Sequence, residues 1–265
     1  MIYAFSREGV AVLDAALAER PLLAFDVDGT LAPIAERPTD ARLPEEVETC
    51  LAHLAKRAVV AVVTGRAVAD ARRMLGFEPR HLIGNHGAEG LPGGETHSAR
   101  FIGAVRSWSE ALRADPALAA AGVLIEDKRY SLSLHYRSAR DQAAASRAIH
   151  RCIEALHPKP RIIPGKLVVN LLPADAPDKG VALRSLMTSC ELSRALYVGD
   201  DDTDEAVFRL RLPGVLGLRV ERQAGSAAAL YLEHQREMLA LLRHIAQRWQ
   251  QNDGNCQPCG RGRGL

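Results

Sequence analysis

Two periods of apolar and polar positions divide this chain. Continuous apolar runs at Leu22–Phe25 (LLAF), residues 58–63 (AVVAVV), His81–Ile83, residues 195–198 and residues 215–218 are bounded by turn residues and read as strands. Because these runs do not alternate, burial on both faces is expected, as in a parallel sheet covered by helices. Helical spacing fills the intervals: residues 44–56, where Val47, Leu51 and Leu54 recur at steps of four and three, then 66–75, 178–190, 202–210 and 226–249.

Between residues 91 and 172 the pattern changes. A turn at Pro92, Gly93 and Gly94 leads into two helical stretches and strands with a period of two. Leu132, Leu134 and Tyr136 alternate with Ser133, His135 and Arg137, which predicts a half-exposed antiparallel strand. The simplest reading is an α/β core in two halves, 1–91 and 173–250, with an α+β domain, 92–172, inserted between them. Residues 251–265 are Gly-rich, polar and aperiodic, so a disordered tail is expected there, and Cys256-x-x-Cys259 within it has no second pair to make a metal site.

Composition narrows the classes. The 265 residues carry 34 basic and 32 acidic side chains, 47% apolar content and a net charge of +2, which excludes a disordered chain and leaves no electrostatic footprint for nucleic acid. No apolar run approaches the roughly 18 residues of a membrane span, so no membrane partner is expected. Cys50, Cys152 and Cys190 are scattered and suit a reducing compartment. Arg7, Glu8 and Asp14 interrupt what would be the apolar core of a secretory leader, so a cytoplasmic location is expected.

Candidate chemistry gathers at the strand ends. Asp26 and Asp28 follow LLAF directly; carboxylates at i and i+2 of an extended segment project to one side, and Gly29 and Thr30 then turn the chain away. Thr64-Gly65-Arg66 follows the second run, offering a hydroxyl and the first N–H groups of the next helix to a phosphate. Four acids in five residues, Asp200 to Asp204, follow the strand ALYVG and call for a compensating cation, although one of them suits an N-cap. Lys179 opens the preceding helix. A carboxylate nucleophile about 4 Å from a phosphate dianion meets roughly 4 kcal/mol of repulsion per charge pair at an effective dielectric of about 20, which a divalent ion and a lysine would cancel. Together these groups suit phosphoryl transfer to an aspartate.

The segments Asp26-Val27-Asp28-Gly29-Thr30, Val62-Val63-Thr64-Gly65, Asp178-Lys179-Gly180 and Gly199-Asp200-Asp201-Asp202-Thr203-Asp204-Glu205 resemble, in this order, the four motifs of the haloacid dehalogenase superfamily of phosphotransferases. Within it the stretch from Leu22 to Trp249 resembles the trehalose-6-phosphate phosphatases, through Gly84-Asn85-His86-Gly87-Ala88-Glu89, Glu126-Asp127-Lys128, Leu134-His135-Tyr136-Arg137 and Gly165-Lys166-Leu167-Val168-Val169-Asn170. The resemblance implies a Rossmann-like core with an inserted α+β cap that closes over it and excludes water. It implies that Asp26 attacks phosphorus and stays ionised, that Asp28 protonates the leaving sugar oxygen and then activates water, and that Thr64 and Lys179 hold the phosphoryl oxygens. Mg²⁺ would be held by Asp26, the Asp28 carbonyl and Asp200, with Asp204 behind them or ligating through water. Arg66, Asn85, His86, Glu126, Lys128, Arg137, Lys166 and Asn170 are the expected substrate contacts.

The family usually has Glu where this chain has Asn170, so altered binding of the distal glucose is expected. Lys166 and Asn170 are expected on one face of a strand, Arg137 on the polar face of another. The implied reaction is hydrolysis of trehalose-6-phosphate; a monomer is expected. Another sugar phosphate, such as sucrose phosphate or mannosyl phosphoglycerate, and a phosphotransferase or mutase are the alternatives, and a silent sugar-phosphate sensor is disfavoured by intact Asp26, Asp28, Lys179 and Asp200.

Overall fold

A computed structural model describes residues 1–35, 40–210 and 212–254. The chain begins with β1 (Ile2–Tyr3) and α1 (Arg7–Leu17), then runs through β2 (Leu22–Phe25), α2 (Glu45–Leu54), β3 (Val60–Val63), α3 (Val68–Met74) and β4 (His81–Ile83). A second group follows: α4 (Glu95–Ala114), α5 (Pro116–Ala120), β5 (Leu124–Asp127), β6 (Leu132–His135), α6 (Gln142–Glu154), β7 (Pro160–Gly165) and β8 (Val168–Pro173). The first pattern resumes with α7 (Lys179–Ser189), β9 (Ala195–Gly199), α8 (Glu205–Phe208), β10 (Val215–Val220), β11 (Leu230–Leu232) and α9 (Met238–Gly254).

The continuous apolar runs form one parallel seven-stranded sheet in the order β1-β11-β10-β9-β2-β3-β4. Its pleat sorts neighbouring side chains to opposite faces. Leu23, Phe25, Val60 and Val62 join the cluster that packs α1, α2 and α9, while Leu22, Ala24, Ala61 and Val63 join the one that packs α7 and α8. The alternating segments form a separate antiparallel sheet in the order β5-β6-β8-β7. Leu132 and Leu134 of β6 bury toward α4 and α6, with Trp108 and Ile149. The other face of β6 looks toward the parallel sheet rather than to solvent, and Ser133 on it is fully buried, so this strand is not the half-exposed one that alternation predicts.

Besides β6, three helices differ from the sequence expectation. The helix expected over 226–249 starts only at Met238, because Leu230 and Leu232 bury as a strand between β10 and β1. A helix expected from 66 starts at Val68, after an extended Ala67, and that expected over 202–210 is a 3₁₀ turn, Asp202–Asp204, leading into α8. Residues 251–254 continue α9; the rest of the predicted tail, with Cys256 and Cys259, lies outside the described residues. Among the described residues no helix is long and apolar enough to cross a membrane.

Candidate active site

β2 lies between β9 and β3, so the carboxyl ends of these three strands meet where the connections diverge to opposite sides, the usual ligand crevice of an open α/β sheet. Asp26 leaves β2 with its N–H donating to the Val198 carbonyl at 2.9 Å. Gly29 then turns with φ +80°, and a Cβ there would lie 2.0 Å from Asp200 Oδ2, so glycine is needed for the two loops to approach. Thr30 Oγ1 donates to Asp200 Oδ1 at 3.1 Å.

Lys179 enters this crevice from the first turn of α7, whose N-cap Asp178 accepts from the Val181 N–H. Its ammonium is buried and lies 3.1 Å from Asp26 Oδ1 and 2.8 Å from Asp204 Oδ1. Burial alone would lower its pKa; the Asp204 and Asp26 carboxylates outweigh that and hold it above the ordinary lysine value. Asp204 is fully buried, and it also accepts from Tyr197 Oη at 2.6 Å and from the Asp201 N–H at 2.9 Å. Asp201 is the N-cap of the 3₁₀ turn, its side chain accepting from the Asp202 N–H, as expected of one acid in this run. Arg219, on β10, fixes the loop from behind by donating to the Asp201 carbonyl and to Glu205.

The donor set fits a hard divalent cation. Carboxylate oxygens of Asp26, Asp200 and Asp204 all lie within 4.8 Å of one another, and three carboxylates beside one ammonium carry two negative charges in excess when ionised. Without a cation that excess is visible: burial first, then the neighbouring carboxylates, holds Asp26 well above the ordinary aspartate value. Asp200 is pushed up to about 7 by burial and by Asp204. For the side chains alone desolvation exceeds the attraction of Lys179, and the charge of a divalent ion would act in the opposite sense.

A cavity of about 810 Å³ opens above this group, lined on the core side by Asp28, Thr64, Arg66, His86 and Asp200 and on the other side by Glu126, Lys128, Arg137, Lys166 and Asn170. Arg66 holds both oxygens of Asp28, at 2.7 Å from Nε and 2.6 Å from Nη2. Its own N–H donates to Thr64 Oγ1, so turn and guanidinium are set together. His86 packs its ring on Gly65, where a Cβ would lie 2.4 Å from Cε1; burial, then Lys179, Lys128 and Arg161, lower its pKa well below the ordinary value, and its Nδ1 has no partner among the described residues.

On the opposite wall Glu126 accepts from His135 Nε2 at 2.8 Å, which lowers its pKa, and Lys128 Nζ lies 3.9 Å from Glu126. Arg137 and Lys166 reach the cavity from turns after β6 and β7, not from strand faces, and the Arg137 guanidinium touches the Lys166 carbonyl at 3.4 Å. The shared strand face expected for Lys166 and Asn170 is thus absent, because Leu167 turns the β7–β8 hairpin with φ +62° between them. Asn170 is nearly buried: its Oδ1 accepts from Ser133 at 2.6 Å and its Nδ2 donates to the Ile163 carbonyl at 3.4 Å.

Asn85 does not line the cavity. It is fully buried beneath it, with its amide bonded to Glu89, to the Lys128 carbonyl and to Ser131, so those groups occupy the side chain that was expected to meet substrate. Conversely, Tyr197, Thr30, His135 and Ser133 hold site residues without having been singled out. Tyr197 is hidden in an apolar strand run, and nothing in its local sequence distinguishes it from a core aromatic. His135 had a visible signal, its place in the segment Leu134-His135-Tyr136-Arg137.

A model of the trehalose-phosphatase family matches residues 24–229. An uncharacterized glycosyl hydrolase of Mycobacterium tuberculosis is 35% identical over 210 residues, which are 74% of this chain; the chain spans only 16% of that protein's length. A "Probable trehalose-phosphate phosphatase" of Sinorhizobium fredii is 36% identical over 219 residues, 78% of this chain and 80% of the relative. Among solved structures, a trehalose-6-phosphate phosphatase related protein superposes with a TM-score of 0.72 at 25% identity, covering 87% of this chain and 99% of its own.

Proposed function

The chain belongs to the trehalose-phosphatase family, and we propose that it is a Mg²⁺-dependent phosphatase that hydrolyses trehalose-6-phosphate to trehalose and phosphate through an aspartyl-phosphate. The observation that carries the reading is Lys179, buried between Asp26 and Asp204 at the crevice where Thr64 and Asp200 also converge. In this reading Asp26 attacks phosphorus in line as the bond to the sugar oxygen breaks. Thr64 and Lys179 hold the equatorial phosphoryl oxygens, and Lys179 is kept charged by its two carboxylates. Asp28 gives a proton to the leaving sugar oxygen and takes one from the water that hydrolyses the phosphoenzyme. Arg66 fixes the Asp28 carboxylate at the mouth of the crevice until substrate arrives.

Asp26, the Asp28 carbonyl and Asp200 would hold Mg²⁺, with Asp204 behind them. Bound there, the ion supplies charge neutralisation for nucleophile and phosphate. Glu126, Lys128, Arg137, Lys166 and Asn170 provide donors and acceptors for sugar hydroxyls, and the antiparallel sheet that carries them acts as a cap that excludes water. A cytoplasmic monomer is the state in which we expect the enzyme to work.

The test is phosphate release from a panel of sugar phosphates with and without Mg²⁺, with Asp26→Asn as control. Trehalose-6-phosphate should be among the best substrates and Asp26→Asn should lose at least about 10³-fold in turnover. Because Asp200 sits near 7 without the ion, protons compete with Mg²⁺ below that pH, and the concentration for half-activation should rise from pH 7 to pH 6. A different preferred sugar would overturn the substrate assignment, and an active Asp26→Asn the whole mechanism.

A further inference from the structure

After β4 the chain turns through three successive residues of positive φ, Asn85 at 49°, His86 at 57° and Gly87 at 117°. Two of them are not glycine, so the surroundings must hold this turn in place. The Asn85 and His86 N–H groups donate to the Arg66 and Thr64 carbonyls, at 2.7 and 2.9 Å, which ties the turn to the segment that carries Thr64. The Asn85 side chain points the other way, toward the antiparallel sheet. Its Nδ2 donates to the Lys128 carbonyl at 3.3 Å, and its Oδ1 accepts from Ser131 Oγ at 2.5 Å.

Lys128 and Ser131 are the two ends of the β5–β6 turn, closed on itself by the Lys128 N–H donating to the Ser131 carbonyl at 3.0 Å. Nδ2 also donates to Glu89 Oε2 at 2.8 Å, and the same oxygen accepts from the Val68 N–H, the first residue of α3. One buried amide therefore joins the helix that follows Thr64, the strained turn after β4 and the hairpin that brings Glu126 and Lys128 to the cavity.

We infer that Asn85 is a positioning residue that latches the β5–β6 hairpin onto the Thr64 turn, setting Lys128 and Glu126 at a fixed reach from Asp26. This rests on the phosphatase reading, in which the first wall takes the phosphoryl group and the second the sugar. The consequence is separable: the latch governs how well the sugar is held, not how the phosphorus is attacked. A small aryl phosphate, which offers the hairpin no hydroxyl groups, does not use it.

Asn85→Gly is the informative variant, because glycine keeps the left-handed backbone at no steric cost and removes only the side chain. Ser131→Ala removes one of the three contacts without touching that turn. Asn85→Gly should raise KM for trehalose-6-phosphate about tenfold with kcat changed less than about threefold, and leave p-nitrophenyl phosphate turnover within about twofold; Ser131→Ala should shift KM the same way by less. Hydrogen exchange of the ligand-free protein should quicken at the Lys128 and Tyr130 amides while β2, β3 and β9 keep their protection.

Unchanged exchange at the hairpin, or a proportional loss of both substrates with faster exchange throughout, overturns the latch. If Asn85→Gly does not fold, the same two readouts on Ser131→Ala decide the matter. Should the wild-type protein release no phosphate from trehalose-6-phosphate, the substrate reading falls, while the exchange measurement still decides whether Asn85 holds the hairpin.

Discussion

Lys179 and Lys128 face one cavity from opposite walls, and both are largely buried, yet their surroundings differ in kind. Lys179 has carboxylate oxygens at 2.8 and 3.1 Å and is held above its ordinary pKa. For Lys128 the nearest ion-pair oxygen among the described residues is 3.9 Å away, and burial, aided by Arg66, holds it below its ordinary value. A buried ammonium without a close carboxylate pays for its desolvation only when a ligand supplies the missing acceptors. In the proposed reading, the core wall is assembled before anything binds and the opposite wall is completed by the sugar.

The contrast breaks most sharply at Asp204. Asp204→Asn keeps an acceptor for Tyr197 but removes the charge that fixes Lys179, and it sets an amide against the Asp201 N–H if Oδ1 is kept in place. Losing a prearranged electrostatic contact of this kind lowers turnover by about 10²-fold or more. Turnover at saturating Mg²⁺ and saturating substrate checks it, and activity within threefold of wild type would show that Lys179 does not depend on its own protein for its charge.

On the other wall a smaller and differently distributed effect is expected. Lys128→Met should raise KM for trehalose-6-phosphate about tenfold, the scale of one charge-assisted hydrogen bond, with kcat nearly unchanged. It removes a cation whose ion-pair contact is loose, so the melting temperature should hold or rise. A fall in kcat equal to the rise in KM would place Lys128 with the reacting atoms and erase the distinction between the walls.

The same distinction explains what was legible in the sequence. Strand ends in a parallel sheet are local features, so Asp26, Thr64 and Asp200 could be placed at one edge from LLAF, AVVAVV and ALYVG alone, and the buried Lys179 joins them there. Roles that depend on the meeting of two sheets were not legible. Asn85 lies in a segment read as resembling the family, yet two of its three side-chain partners are more than forty residues away on the β5–β6 hairpin. The period-two reading of β6 correctly sorted Leu132 and Leu134 from Ser133, but "polar" meant facing the other sheet rather than water. β11 was missed because Leu230 and Leu232 also suit a helix, and only pairing with β10 and β1 decides for a strand.

The finest probe of the completed wall is Asn170→Glu, and its effect should be the smallest. Asn170 spends its Oδ1 on Ser133 at 2.6 Å, a bond that a carboxylate can also accept. Its Nδ2 contact with the Ile163 carbonyl, at 3.4 Å, is long, so losing it costs little. The added methylene and second oxygen extend the acceptor into a cavity already lined by Lys128, Arg137 and Lys166, where an acid gains attraction as well as a bond to a sugar hydroxyl. Against this stands the desolvation of a new carboxylate at a nearly buried position. The balance should lower KM for trehalose-6-phosphate about threefold, or about 0.7 kcal/mol, without changing kcat or the KM for p-nitrophenyl phosphate. A higher KM for the sugar phosphate alone would mean that the tie to Ser133 and Ile163 shapes the wall more than any contact from this position does, and that residue 170 serves the sheet rather than the sugar.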